Sequence, residues 1–375
     1  MKAKALRLAG SLVALGILLL LAFAWKGRIV TLRPWPVSPE EARKAGLPGR
    51  VANTLALASL APSSHNAQMW KVRVLSDTEL LVMTDESRLL PAVDPDRREA
   101  LVSIGAFLEN LARGASTQGL EAGIEILAES PTDTLVARVT LAPGKEPAGP
   151  EVLESLLRRE TFRGKLGTGE IPSETLEALG GTAPSRWTWF AADTPEAAWI
   201  REALEESNRA QAARDDAQEE LADWIRFSPG ESARRRDGLT PAGMGIPRPL
   251  RAFMAFFFDK KDVTGKSFRE AGVKKAREQS RSCAGFLVLA SPDGSARSAL
   301  QAGRDLEALW LEATLGGVAL HPMSQALEES PWKEQAASRL GIEGTVQMIL
   351  RAGLAVSPPR AVSSRRPLAE FVERP

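Results

Sequence analysis

The stretch LAPSSHNAQMWK, Leu60–Lys71, follows the apolar helical run VANTLALASL and crowds a proline, two serines, an asparagine, a glutamine, a tryptophan and one of the chain's two histidines into twelve residues. Pro62 stops the preceding helix. Ser63, Ser64 and Asn66 then supply short donors and acceptors beside the amides of a tight turn, Gln68 adds a side-chain amide, and Trp70 opens a strand with a large flat surface. Such a loop suits a flat heteroaromatic ring with carbonyls and nitrogens along its edge. Read alone, it is more simply a capped turn whose polar groups satisfy local backbone.

Its company elsewhere in the chain favours the first reading. RRETFRGKL sets Arg159, Thr161 and Arg163 at alternating positions, and SSRRPL brings Ser364, Arg365 and Arg366 together near the C-terminus. Guanidinium with hydroxyl is what a phosphate monoester requires, because its compact charge accepts paired, charge-assisted hydrogen bonds. With 48 basic against 47 acidic residues and a net charge of +1, the chain has no broad field for nucleic acid. One cysteine and two histidines leave no metal-binding pattern.

Around the loop, KVRVL and ELLVMTDE read as two strands, PDRREALVSIGAFLENLARGASTQGL as a long amphipathic helix, and GIEILAE and TLVARVTLA as further strands. Later, CAGFLVLAS and VQMILRAGLA read as strands and ALQAGRDLEALWLEATLGGVAL as a second long helix. The two long helices align at an offset of 198, pairing Gly105/Gly303, Leu108/Leu306, Glu109/Glu307, Leu111/Leu309, Ala115/Ala313 and Gly119/Gly317. Leucine and alanine recur in any amphipathic helix. The glycine pairs do not follow from that period, and they predict two related halves resembling a fused homodimer.

APSSHNAQMW resembles the PSxxNxQPW signature of the FMN-dependent nitroreductase superfamily, and RETFR resembles its RxSxR phosphate motif. The segments DPDRREALVSIGAFLENL and GRDLEALWLEATLGGVALHPMSQ look like the Acg branch, in which two such halves are fused. The resemblance runs from about Ala52 to the C-terminus. It implies an α+β, nitroreductase-like fold: a mixed, mainly antiparallel sheet with flanking helices in two pseudo-symmetric halves. It implies one FMN site, with Pro62, Ser63, Ser64, Asn66 and Gln68 from the first half and Arg159, Thr161, Arg163, Met323, Arg365 and Arg366 from the second. His65 and His321 lie near the substrate in this reading, and no side chain is required as catalyst, since the flavin carries the chemistry. The implied activity is NAD(P)H-dependent, two-step electron transfer to a small-molecule acceptor; a catalytically silent module that sequesters FMN is the alternative. Met69 stands where the superfamily has proline, a departure that loosens the turn presenting Gln68.

The N-terminus carries Lys2, Lys4 and Arg7, then 18 uncharged residues from Leu8 to Trp25, enough for a transmembrane helix. Ala22-Phe23-Ala24 has the form of a cleavage site, but the unbroken apolar run favours an anchor. The side facing the globular part stays open, with a periplasmic or extracellular placement favoured. The expected organisation is an anchor or signal over residues 1–28, a Pro-rich linker over 29–50, a first half over 51–150 and a second over 151–375, the latter with a lid segment at 205–262.

Overall fold

The computed structural model describes residues 22–180, 186–357 and 360–374. Two helices, α1 (Pro39–Lys44) and α2 (Gly49–Ala58), lead into the hairpin β1 (Trp70–Ser76) and β2 (Glu79–Thr84). The long α3 (Arg98–Thr117), β3 (Leu120–Ile126) and β4 (Leu135–Pro143) complete the first half. After α4 (Pro150–Arg158) and α5 (Ser173–Gly180), the path repeats as β5 (Trp187–Ala191), β6 (Gly285–Ser291), α12 (Ala296–Leu315), β7 (Val318–Pro322), α13 (Trp332–Arg339) and β8 (Thr345–Leu354). The first sheet runs β3-β4-β2-β1 and the second runs β7-β8-β6-β5, so strands at equivalent places in the two halves hold equivalent positions. Within these orders every neighbouring pair is antiparallel. The C-terminal β9 (Val372–Glu373) adds to the first sheet beside β1 in parallel, which makes that sheet mixed. The α+β architecture with two pseudo-symmetric halves follows the sequence expectation.

The halves meet where α3 crosses α12, and the paired glycines are the crossing point. A Cβ on Gly105 would lie 2.1 Å from the Leu300 carbonyl oxygen, and one on Gly303 would lie 2.0 Å from that of Val102. Val102 and Leu300 are themselves 198 apart, so the contact is the same in both directions, as a twofold interface demands. Gly119 and Gly317 end these helices with φ of +67° and +73°, a left-handed conformation that glycine adopts without strain. One continuous core of both helices and both sheets results, with Ile104, Leu108, Leu111, Leu306, Leu309 and Trp310 buried in it.

The halves differ between their first two strands. β1 and β2 are joined by a two-residue turn, whereas β5 and β6 are separated by α6 (Pro195–Ala213), α7 (Asp215–Trp224), α8 (Pro229–Arg235), α9 (Arg248–Phe257), α10 (Lys260–Thr264) and α11 (Lys266–Ser280). The Gly/Pro-rich segment from Ser228 is thus more ordered than its composition suggests. Ser228 caps α8 by accepting from the Glu231 amide, and Pro229 occupies its first turn, where the missing N–H costs nothing.

The N-terminal expectation is corrected. Among the described residues no helix is long and apolar enough to cross a membrane, and residues 1–21 lie outside them. The described end of that stretch, residues 22–26, is a short helix whose Phe23 stacks on Phe256 of α9, with ring centroids 6.1 Å apart.

At the crossing, Gly105→Ala pushes a methyl into backbone that cannot yield without separating the helices, and should cost about 3 kcal/mol in urea unfolding. Gly272→Ala, a helical glycine on α11 with nothing within 4 Å of its added Cβ, should be neutral or stabilise by up to about 1 kcal/mol.

Candidate functional site between the halves

The loop after α2 is held in an unusual backbone conformation. His65, Asn66 and Gln68 have φ of +50°, +53° and +58°. Outside glycine and asparagine this region costs about 1–2 kcal/mol per residue, so the surroundings must fix it. The Ser63 hydroxyl accepts from the Gln68 amide at 3.0 Å. Asn66 donates to the Gly238 and Ser364 carbonyls at 3.1 and 3.3 Å, and Gly238 N–H returns a bond to the Asn66 carbonyl. Arginine forks close the rest. Arg365 donates to the carbonyls of Leu60 and Ala61, each at 3.0 Å, and to Asn66 Oδ1 at 2.9 Å. Arg366 donates to the Gln68 and Trp70 carbonyls at 2.6 and 2.8 Å, while its amide donates to Gln68 Oε1. The C-terminal tail therefore shapes the loop from nearly three hundred residues away.

Behind this loop lies a small pocket of about 40 Å³ lined by Arg33, Arg159, Arg163, Arg365, Thr161 and Ser63, among others. It has room for about three waters, or one phosphate group. Against these four cations its lining holds one carboxylate, Glu160. Arg33 and Arg365 each keep a buried Nε without a partner. Arg159 lies 3.0 Å from Glu307 Oε1, but the N–H is not directed along that line. Burial pushes the Glu307 carboxyl up to about 7 despite the adjacent guanidinium. Arg33 and Arg163 are lowered to about 10 by desolvation, Arg33 further by Arg159; Arg365 is lowered by burial and then by Arg159 and Arg33. Unmatched buried charge costs about 3–5 kcal/mol, and an anion in the pocket offsets it.

Pro62, Ser63, Thr161, Arg163 and Leu239 also line a cavity of about 360 Å³, which therefore adjoins the pocket. The α3–α12 crossing supplies Val102, Ser103, Ala106, Leu306 and Trp310, and the helices between β5 and β6 supply Asn208, Gln211, Phe268 and Gln279. Such a size, with apolar and polar side chains sharing the lining, fits an organic ligand that carries polar groups. His65 faces it with a buried, unpartnered Nδ1, and desolvation lowers its pKa to about 4. His321 faces it from β7. Arg351 of β8, fully buried, donates to His321 Nδ1 at 2.9 Å, so the neutral ring carries its proton on Nε2.

The structure thus brings Pro62, Ser63, Ser64, His65, Asn66, Thr161, Arg163, Arg159, Arg365, His321 and Met323 to the two joined spaces. Gln68 and Arg366 line neither and sit behind the loop as its scaffold. Trp70 also points away, stacking on Phe107 at 4.9 Å in the first-half core. The turn at Met69 is not loose: Met69 and Gln68 are both fully buried, and Met69 packs with Ala67, Leu90 and Val93. Sequence reasoning missed Arg33, Glu99, Trp310, Glu328 and Arg351. Arg33 alone had a legible cue, as a cation in the apolar, Pro-rich stretch before Val51.

No family model matches the chain. It is similar to the Mycobacterium tuberculosis protein named "Putative NAD(P)H nitroreductase acg", at 26% identity over 338 residues, which covers 85% of this chain and 94% of the relative. A second M. tuberculosis protein named as a putative NAD(P)H nitroreductase is 25% identical over 336 residues, covering 87% and 91%. The solved structure of the FMN-dependent nitroreductase NfnB from Mycobacterium smegmatis in complex with NADPH matches with a TM-score of 0.40 at 17% identity, over 60% of this chain and 97% of that one. The resemblance to the Acg branch of nitroreductases read from the motifs is thus matched by relatives that span most of the chain.

The His65 environment has a pH signature. Its folded pKa of about 4 lies below the 6.5 of the unfolded chain, so the unfolded state binds the extra proton between those values and stability falls as pH drops through them. Relative to pH 7, this group should remove about 2 kcal/mol at pH 5. Urea unfolding of wild type and His65→Gln at both pH values should show the variant losing that much less on acidification.

Proposed function

We propose that the chain is an NAD(P)H-dependent FMN oxidoreductase of nitroreductase type that passes two electrons to a small acceptor. One observation carries this reading: a buried, phosphate-sized pocket with four arginines and two orphaned guanidinium nitrogens opens onto a cavity large enough for a tricyclic ring. The residues fit FMN on that ground. Arg33, Arg159, Arg163, Arg365, Thr161 and Ser63 would hold its phosphate, and the Pro62–Asn66 loop, His321 and Met323 would flank its ring. When bound, FMN supplies a ring that takes up a hydride and hands electrons on. The chain's own residues bind and orient it, and Trp310, Leu306, Phe268 and Met348 keep water from the apolar side of the cavity. His321, fixed by Arg351 as a neutral donor at Nε2, offers a hydrogen bond that does not change with pH near neutrality. The names of the relatives support the same electron donor.

A second reading, a module that holds FMN without turning it over, is favoured by one feature. The helices between β5 and β6 add Gln211, Phe268, Arg269 and Gln279 to the cavity wall, leaving less room for a second ring beside a bound flavin.

Two measurements separate these readings. Fluorescence titration of the apoprotein should show FMN binding at least 100-fold tighter than riboflavin, and Arg163→Ala should remove most of that difference, because each charge-assisted contact to phosphate contributes about 1.5–3 kcal/mol. Anaerobic NADPH or NADH should then bleach the bound flavin. Equal binding of FMN and riboflavin would remove the basis of the proposal, and bound flavin that stays oxidised would select the second reading.

A further inference from the structure

Away from the cavity, α9 turns an aromatic face to the outside of the molecule. Leu250, Phe253, Phe256 and Phe257 recur at the spacing of one helix face and are all exposed, while Ala252 and Met254 are buried against the protein. The rings form a cluster, with centroids 4.9 Å apart for Phe253 and Phe257 and 6.1 Å apart for Phe256 and Phe257. The short helix at residues 22–26 extends this face, because Phe23 stacks on Phe256 and Trp25 is 63% exposed. Among the described residues every exposed tryptophan or phenylalanine belongs to this one patch. A protein surface rarely gathers apolar side chains in this way without something to cover them.

Cations rim the patch. Lys26 Nζ lies 5.6 Å from the Phe256 ring centroid, and the Arg28 guanidinium lies 3.6 Å from that of Trp25. Arg248 donates to the Ala24 carbonyl at 3.4 Å and Arg251 Nε to that of Gly27 at 3.1 Å, which ties the two segments together. None of these four cations has an ion-pair partner among the described residues. Asp259, just past the end of α9, is engaged in the cap of α10, where it accepts from the Lys261 amide. A pocket of about 20 Å³ beside the patch is lined by Lys26, Arg28, Arg251 and Arg226 and by no carboxylate, and Arg226 is already paired with Asp237. The Ser232 hydroxyl in this pocket is buried and has no partner, and the space has room for one oxygen atom.

We propose that α9 and the segment at residues 22–28 form a docking surface for an anionic lipid bilayer, with the aromatic face in the headgroup–acyl boundary and Lys26, Arg28, Arg248 and Arg251 against the lipid phosphates. The contact lies in the plane of the interface and requires no membrane-spanning helix. It goes beyond the oxidoreductase reading and does not depend on it. Three features select this occupant over a protein partner. Aromatic and leucine side chains with lysine and arginine beside them are the composition of helices that lie in a lipid interface. Lys26 and Arg28 lay their stems along aromatic rings, an arrangement that leaves the charged heads at headgroup level while the rings enter the bilayer. The chain before Ala22 joins at the edge of the patch and adds Lys2, Lys4 and Arg7 with no acidic residue.

The test uses the full chain and vesicles of phosphatidylcholine, alone or mixed equally with phosphatidylglycerol. In flotation the wild type should bind the mixed vesicles at least about 10-fold more tightly than the neutral ones, a preference that shrinks at high salt. Phe253→Ser with Phe257→Ser should weaken binding to the mixed vesicles about 10-fold or more, because the apolar area entering the bilayer is lost. Lys26→Gln with Arg248→Gln should remove most of the preference for anionic lipid. Leu75→Ser, at an exposed apolar position on β1, should change nothing. Contact is read directly from Phe257→Cys carrying an environment-sensitive dye, since the one native thiol, Cys283, is buried. Its emission should shift to the blue on the mixed vesicles, and the same dye at Leu75→Cys should not respond. Vesicle binding that leaves the dye at Phe257→Cys in water would place the contact elsewhere in the chain, residues 1–21 included, and overturn the proposal. So would equal binding of both vesicle types, or a dye shift that needs no lipid and grows with protein concentration, the mark of a second copy on this face.

Discussion

The architecture depends on how closely two backbones approach. Where α3 and α12 cross, Gly105 and Gly303 bring Cα atoms to a separation at which any side chain would meet the opposite carbonyl. The contact sets the distance between the halves and so the width of the cavity, whose walls are the next turns of these helices: Val102, Ser103 and Ala106 on one side, Leu306 and Trp310 on the other. A wider crossing would open the cavity to water. A narrower one would close the space a flat ring needs.

The second constraint is electrostatic. Arg159, Arg365 and Arg366 are buried, and each first satisfies carbonyls of Leu60, Ala61, Gln68 or Trp70. These bonds hold a strained loop, and Glu160 and Glu307 are the carboxyls set against the positive charge they leave. Only where the forks converge with Arg33 and Arg163 does that charge face a space, and the space is the size of a phosphate. The same guanidinium groups therefore shape the loop and line the pocket, while Arg366, whose fork meets Asp85 and loop carbonyls, supplies only structure.

Much of this was legible in the chain. The glycine pairs at offset 198 exposed the crossing because steric exclusion leaves a mark that helical periodicity does not imitate. The Ser/Asn loop and the RETFR motif located two edges of the site because polar side chains clustered after a helix stop have few uses. Other parts were illegible for physical reasons. Arg33 stands out as a cation in a Pro-rich stretch, but where it reaches depends on its segment packing beside Ser364, and no local pattern encodes a contact spanning 332 residues. Arg351 sits in an apolar strand that is buried along nearly its whole length, so alternation gave no hint that it aims at His321. Glu328 reads as one more charge in a polar turn. Trp70, whose large flat surface opens the strand, belongs to the core, where it stacks on Phe107. The membrane helix expected from hydropathy finds no counterpart among the described residues.

The central claim is that the two fused halves build a single FMN site between them, completed within one chain. It is tested most directly by the FMN stoichiometry of the apoprotein at equilibrium, measured by dialysis together with the mass of the protein in solution. The account predicts one FMN per chain, independent of any self-association. Two per chain, one per two chains, or none would contradict it.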